Sequence, residues 1–367
     1  MTEAPNPAHM TPDPTAGLEG VVAATTRLSD VDGRNGILIL RGKRIEELAG
    51  TMPFESAVQH LWQDLDLAGA SSLPQAFGEA RRAAFAVVPL LETASRNLTV
   101  FERIELGLAA LPLTGGRGDA VAISGGLPVL LAASHRIACD ALPIAPDSTL
   151  ETATDLLRML TGELPPAAHA DALNRYLVTI LDHGLNASTF AARVIGSTQA
   201  DLKQAVLGAM GALSGPLHGG APGPVLDMID AIGRPENAES WITAALARKE
   251  RLMGFGHRIY RTRDPRADVL TAGLRLLGPD NPKVRLAEEI EAAALAALKR
   301  AKPDRPLDTN VEFYTAVLLD AIGVDRSLFT PLFAAGRTPG WCAHVLEQQQ
   351  SGKLIRPSSR YVGPTPA

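Results

Sequence analysis

His218 lies in Ser214-Gly-Pro-Leu-His-Gly-Gly-Ala221, and His257 lies in Met253-Gly-Phe-Gly-His-Arg-Ile-Tyr-Arg261. Both imidazoles are collared by glycines. A glycine beside a reactive side chain lets a ligand and main-chain N–H groups come close, because no Cβ intervenes. Two neutral imidazoles converging on one cleft can donate hydrogen bonds to two carbonyl oxygens and stabilise the charge that develops there. Behind the second histidine stand Arg258, Arg261, Arg263 and Arg266, forked cations suited to carboxylates and phosphates. Either histidine alone is equally well explained as an exposed loop residue. The pair, both off any apolar helical face, points to a site that joins or splits carbonyl compounds bearing acidic groups.

Glu312, in Thr309-Asn-Val-Glu-Phe-Tyr314, carries two readings. Thr309-x-x-Glu312 ahead of an apolar run is a capping-box pattern, in which the glutamate closes a helix start. A carboxylate at a helix N-terminus is also kept ionised by the macrodipole and can accept a proton. His183 follows a helical run and precedes Asn186-Ala-Ser, so its local reading is a helix-end histidine bonded to the last carbonyls. Arg337, in Gly336-Arg-Thr-Pro-Gly340, and Arg356, in Ile355-Arg-Pro357, sit beside Gly and Pro turns from which an arginine can reach into a cleft.

The elements that must hold these residues read as helices. Alanine and leucine abound while aromatics are only 4%, a mix that favours helix over strand. Two β-rich runs, residues 20–28 and 36–41, flank Asp30-Val-Asp-Gly-Arg-Asn-Gly36 and predict a small hairpin. A helix from Asp171 is expected to carry Tyr176, Ile180 and His183 to a stop at Gly184. Further helices are predicted at Val284–Lys302, Val311–Ile322 and near Gly340–Gln350. Between about 65 and 130, Gly and Pro are expected to break the helices, including at Gly125-Gly126. Gly115-Gly-Arg-Gly118 lacks both the preceding strand and the Gly-Lys-Ser/Thr of a phosphate loop, and is read as a surface turn. The fold class is all-α apart from the hairpin.

At 367 residues the chain exceeds one ordinary core, which implies two domains or a large domain with an insertion. A net charge of −5 leaves no cationic excess for a nucleic-acid backbone. No uninterrupted apolar run of about 18 residues suggests a membrane span. Cys139 and Cys342 are read as buried reduced thiols of a cytoplasmic protein, and no Cys/His spacing suggests a metal site. Met1 to about Ala16, rich in Pro and polar residues, is read as a flexible tail.

Several longer blocks resemble the signatures of the citrate synthase family. They are Gly184-Leu-Asn-Ala-Ser-Thr-Phe190, Gly215-Pro-Leu-His-Gly-Gly220, Met253-Gly-Phe-Gly-His-Arg258 and Asp264-Pro-Arg-Ala267, followed by Asn310-Val-x-Phe313, Arg337-Thr-x-Gly-Trp341 and Arg356-Pro357. The match covers residues 17–65 and 140–364 and is weak between. It implies a two-domain helical fold, with residues 17–218 and 315–367 in a large domain and 219–314 in a small one. It also implies a homodimer that condenses acetyl-CoA with oxaloacetate, with coenzyme A thioester as substrate and no permanently bound cofactor.

By the same resemblance, His218 faces the thioester oxygen, Glu312 takes the methyl proton and His257 faces the oxaloacetate carbonyl. His183, Arg266 and Arg337 bind oxaloacetate, and Arg356 is lent by the other subunit. Leu252, Met253, Gly254, Phe255 and Gly256 wrap coenzyme A, with Arg261 facing its phosphates. One departure stands out: the family's usual residue at position 312 is aspartate. A 2-methylcitrate synthase using propionyl-CoA, and a non-catalytic binder of acyl-CoA or dicarboxylates, are the alternatives.

Overall fold

The computed structural model describes residues 17–364 apart from 19, 66–71, 220, 221, 258, 279, 280, 304–306 and 362. The predicted tail, Met1–Ala16, lies outside the described residues. A small sheet near the N-terminus is followed almost entirely by helices. Its strands β1 (Ser29–Asp32), β2 (Ile37–Leu40) and β3 (Lys43–Arg44) are antiparallel and adjacent in that order. Ser29 pairs with Leu40 and Asp32 with Ile37. A hairpin is present and its second strand falls where expected, but the first does not: residues 20–28 form no strand, and β1 uses Ser29–Asp32 from the segment read as the turn, leaving only residues 33–36 to reverse the chain. A short third strand, Lys43–Arg44, is added where the sequence gave no strand signal. Asp32 accepts from the N–H groups of Arg34 and Asn35 (both 3.0 Å), which folds the turn back on itself.

The helix Phe329–Ser351 is central, packing against Ala187–Ser197, Asp119–Ala138 and Leu202–Leu213. It runs straight through Gly336, Pro339 and Gly340, so Arg337 lies inside a helix and not at the turn the sequence suggests. The reason is close packing. A Cβ on Gly336 would lie 2.6 Å from Ile180 Cδ1, and one on Gly340 2.2 Å from the Leu181 carbonyl oxygen. The glycines are contact points between helix and neighbour, not breakers. Gly125 and Gly126 behave alike inside Asp119–Ala138, against Ala80 and Ala84. By length and composition that helix could cross a membrane, yet most of it is buried among its neighbours.

The helix Ala167–Thr179 stops before His183, which sits on the following loop. The later helices span Pro282–Ala301 and Val311–Ala321, close to expectation. Cys342 is buried as expected, but Cys139 is exposed, because its helix ends at Ala138 and leaves it at the surface. Asp119 accepts from Thr114 and Gly115 N–H (both 2.9 Å), which ties the start of the Gly115–Gly118 turn to the following helix.

Candidate active site

His183 and His257 meet edge to face, with ring centroids 5.7 Å apart. Tyr260 completes the cluster: its hydroxyl lies 3.1 Å from His183 Nε2, and its ring stands 4.8 Å from that of His257. The N–H groups of Ile259 (3.0 Å) and Tyr260 (3.1 Å) both donate to His257 Nδ1. That nitrogen is therefore an acceptor, and a neutral ring must carry its proton on Nε2. Burial, reinforced by Arg266, lowers His257 to about 4 even though Asp264 pulls upward. Burial and the charges of Arg266, His257 and Arg337 hold His183 well below the usual histidine range. At neutral pH both rings are uncharged donors.

His218 occupies the turn after Leu202–Leu213. Its Nε2 lies 2.9 Å from Ser188 Oγ, which also accepts from Trp341 Nε1 at 3.2 Å. Ser188 has one proton and two possible takers, His218 Nε2 and Asn186 Oδ1 at 2.8 Å. When it donates to His218, the ring's own proton resides on Nδ1. Burial, then Arg337, lowers His218 to about 4. Phe333 stands between these two residues, 6.1 Å from the His218 ring and 4.8 Å beneath the Arg337 guanidinium. Arg337 itself is buried and donates through Nε to the Ile180 carbonyl.

Glu312 is not a capping residue. The helix Val311–Ala321 takes Asn310 as its N-cap, with Asn310 Oδ1 accepting from Glu312 N–H at 3.0 Å. Thr309, needed for the predicted capping box, instead donates its hydroxyl to Glu291 at 2.5 Å. One residue's shift in the helix start removes the pattern. The Glu312 carboxylate makes no hydrogen bond among the described residues. Burial raises it to about 7, with Asp264 adding to the rise and Arg266 and Arg337 opposing it. Its carboxyl therefore changes charge near neutrality, and both arginines are within its electrostatic reach.

The loop that bears His257 is stitched to the start of the Glu312 helix through the main chain. Gly256 N–H donates to the Asp308 carbonyl (2.7 Å), Asn310 N–H to the Gly254 carbonyl (3.0 Å), and Asn310 Nδ2 to the Gly256 carbonyl (2.8 Å). Gly254 and Gly256 have φ of +84° and +81°, the left-handed region where glycine is at home. Asp264 serves both sides. It caps Pro265–Arg275, accepts from Val311 N–H at 3.2 Å, and grips the Nε and Nη2 of Arg266. Arg266 is thereby fixed in place, with Nη1 remaining outside that pair.

The structure thus gathers His183, His218, His257, Arg266, Glu312 and Arg337. Within the 252–256 loop, Leu252 and Phe255 are core residues, Phe255 lying 5.3 Å from Phe313. What the loop leaves accessible is Met253 and the main chain of Gly256. Arg261 is exposed, its N–H bonded to the Gly33 carbonyl at 2.7 Å. Arg356 is also exposed, beside a separate cavity of about 800 Å³ lined by Arg27, Arg193 and Glu347. Arg263 is committed to Asp268 and Glu291, at 2.5 Å each, and Arg258 lies outside the described residues. Sequence reasoning did not assign Ser188, Tyr260, Asp264, Phe333 or Trp341; all but Phe333 sat inside quoted blocks without a stated task. Among the described residues, no group of His, Cys, Asp or Glu is placed to hold a metal.

A helical fold that gathers neutral imidazoles, arginines and one raised carboxyl is suited to carbonyl chemistry. The family model for the citrate synthase C-terminal domain matches residues 17–358, and the chain belongs to the citrate synthase family. It is 41% identical over 360 residues to the putative citrate synthase 2 of Mycobacterium tuberculosis, covering 95% of this chain and 93% of that one. The 2-methylcitrate synthase of the same organism is 37% identical over 368 residues, covering 96% and 91%. Among solved structures, the citrate synthase of Thermoplasma acidophilum in ternary complex with carboxymethyl coenzyme A and oxaloacetate superposes with a TM-score of 0.85. The identity there is 28%, and 97% of this chain and 98% of that one are covered.

Proposed function

We propose that this chain condenses acetyl-CoA with oxaloacetate and hydrolyses the product thioester to citrate and coenzyme A. Glu312 takes a proton from the acetyl methyl while His218 donates to the thioester oxygen, where the enolate charge collects. The resulting carbon attacks the oxaloacetate carbonyl. As that oxygen becomes an alkoxide, it faces His257 Nε2–H. His183, Arg266 and Arg337 hold the dicarboxylate. Water then cleaves the thioester, returning coenzyme A. The observation that carries this reading is the Glu312 carboxylate, without a hydrogen bond among the described residues and raised by burial to about 7, beside histidines that are neutral at the same pH.

In this reading Arg356 completes the site of a second subunit in a homodimer, which suits its exposed position in a single chain. Residues 219–314 form a smaller domain that closes over oxaloacetate and excludes water until the new bond is made. Coenzyme A lies along residues 252–256 with Arg261 at its phosphates. Propionyl-CoA is the second reading, supported by the 2-methylcitrate synthase relative.

Release of coenzyme A from acetyl-, propionyl- and butyryl-CoA, with and without oxaloacetate, tests the proposal. We expect release only with oxaloacetate present, and fastest with acetyl-CoA. An extra methylene shifts such a preference by only about 1–3 kcal/mol, so a reversed order favours the second reading. Binding of both ligands without any release sinks the catalytic reading altogether.

A further inference from the structure

The strand β1 touches both histidine loops. At its start, Ser29 Oγ donates to Asp182 and accepts from Gly184 N–H at 3.1 Å. Those two residues flank His183. Asp182 is held in turn by His344, whose Nδ1 accepts from Arg193 at 2.7 Å and whose Nε2–H therefore donates to Asp182 at 3.1 Å. Burial alone would raise Asp182, yet His344, Arg337 and Ser29 keep it below the usual range. It is a fixed anion to which Ser29 is anchored.

Just past the other end of β1, the Gly33 carbonyl accepts from Arg261 N–H at 2.7 Å. A Cβ on Gly33 would lie 2.3 Å from the Ile259 carbonyl oxygen and 2.7 Å from its carbon. These are main-chain atoms, which no rotamer can move aside. The Ile259 carbonyl and the Tyr260 N–H belong to one peptide group, and that N–H is a donor to His257 Nδ1. A side chain at position 33 therefore pushes on the group that sets the His257 tautomer. Gly36 lies against the next segment more loosely: its Cβ would meet the Thr262 hydroxyl at 2.7 Å and the Arg263 carbonyl at 3.1 Å.

We infer that β1 is a strut setting the spacing of His183 and His257 and the tautomer of His257, which makes Ser29 and Gly33 positioning residues for the reaction. At about 3.3 Å per residue, the four-residue strand spans on the order of 10 Å and cannot stretch, so moving either end displaces one histidine against the other. The consequence for catalysis rests on the reading of these histidines as oxaloacetate contacts. The consequence for the tautomer does not.

The test compares Ser29→Ala, Ser29→Thr and Gly33→Ala with Asp30→Asn, an exposed mid-strand control, each in the full chain. Side-chain 15N shifts of the histidines, taken without substrate, report which ring nitrogens are protonated. Steady-state kinetics report kcat and the KM for oxaloacetate. In Gly33→Ala we expect His257 Nδ1 to lose its pure acceptor signature. The kcat/KM for oxaloacetate should fall on the order of a hundredfold, the rate cost of about 1 Å of misplacement, with the KM for oxaloacetate raised. Ser29→Ala should raise that KM, Ser29→Thr should recover most of it, and Asp30→Asn should leave both readouts unchanged. Unaltered tautomers in both Gly33→Ala and Ser29→Ala overturn the strut, as does a loss in Asp30→Asn equal to theirs. Should Gly33→Ala not fold, the Ser29 pair decides. Altered tautomers with unchanged kinetics keep the strut and refute the assignment of these histidines to oxaloacetate.

Discussion

The two sides of the cleft are built differently. His218 rests on side chains from buried helices, with Ser188 and Trp341 behind the imidazole and Phe333 between it and the Arg337 guanidinium, which is also held by the Ile180 carbonyl. His257 and Glu312 are carried by segments joined through their main chain, residues 254–256 to 308–310, with the side chains of Asn310 and Asp264 closing the join. Removing one side-chain contact from the first side leaves the surrounding helices in place. Adding one Cβ to the second moves the backbone that carries the base. In the proposed reaction, the steps that need the finest placement, proton removal and alkoxide stabilisation, therefore fall where glycine is least replaceable.

Four substitutions sharpen that contrast, in descending order of effect. Glu312→Gln keeps the shape and removes the base, so kcat should fall by about 10²–10⁴-fold, with the KM for oxaloacetate nearly unchanged in steady-state assays. Gly254→Ala places a Cβ 2.8 Å from Phe313 Cβ at a φ of +84°. A shift of about 1 Å in the Glu312 helix start should cost on the order of a hundredfold in kcat, with the far-ultraviolet circular dichroism preserved. A loss under threefold there contradicts the claim that the main chain sets this side.

Arg337→Lys cannot reproduce a planar fork. Charged hydrogen bonds contribute about 1.5–3 kcal/mol, so the KM for oxaloacetate should rise roughly ten- to a hundredfold. An unchanged value removes Arg337 from the dicarboxylate clamp. Ser188→Ala removes one support of His218 while Phe333 and the helices remain. One hydrogen bond of about 0.5–1.5 kcal/mol predicts a kcat lower by a few-fold to about tenfold and an unaltered KM for oxaloacetate. Should Ser188→Ala prove more damaging than Gly254→Ala, the contrast between the two sides is reversed.

The sequence disclosed the parts of the site that are local. His218, His257, Arg266 and Arg337 could be picked out because glycine, proline and charge cluster around them within a few residues. What stayed hidden depends on partners far along the chain. Gly125, Gly126, Gly336 and Gly340 read as breakers, and only their contacts with Ala80, Ala84, Ile180 and Leu181 reveal glycines that let helices pack closely. Thr309 fitted a capping box, but Glu291, 18 residues earlier, claims its hydroxyl and the cap passes to Asn310. Arg263 looked like a ligand cation until Asp268 and Glu291 took its fork. The hairpin was legible as a hairpin, whereas its contact with both histidine loops was not, since Ser29 meets Asp182 across 153 residues.

The central claim is that one carboxylate raised to about 7 works beside histidines lowered to about 4. The direct measurement is the pH dependence of acetyl-CoA methyl proton exchange into solvent. A hydroxy-dicarboxylate should fill the oxaloacetate clamp, because it offers no carbonyl to attack. A base must be ionised to act, and Glu312 sits above the usual carboxylate range. The rate should therefore climb about tenfold per pH unit from 5 toward 7 and level off above. The histidines are already neutral across that window and add no second limb. In Glu312→Gln the climb should vanish along with most of the exchange. A flat profile between pH 5 and 8 in the unsubstituted protein, or near-normal exchange in Glu312→Gln, contradicts the account.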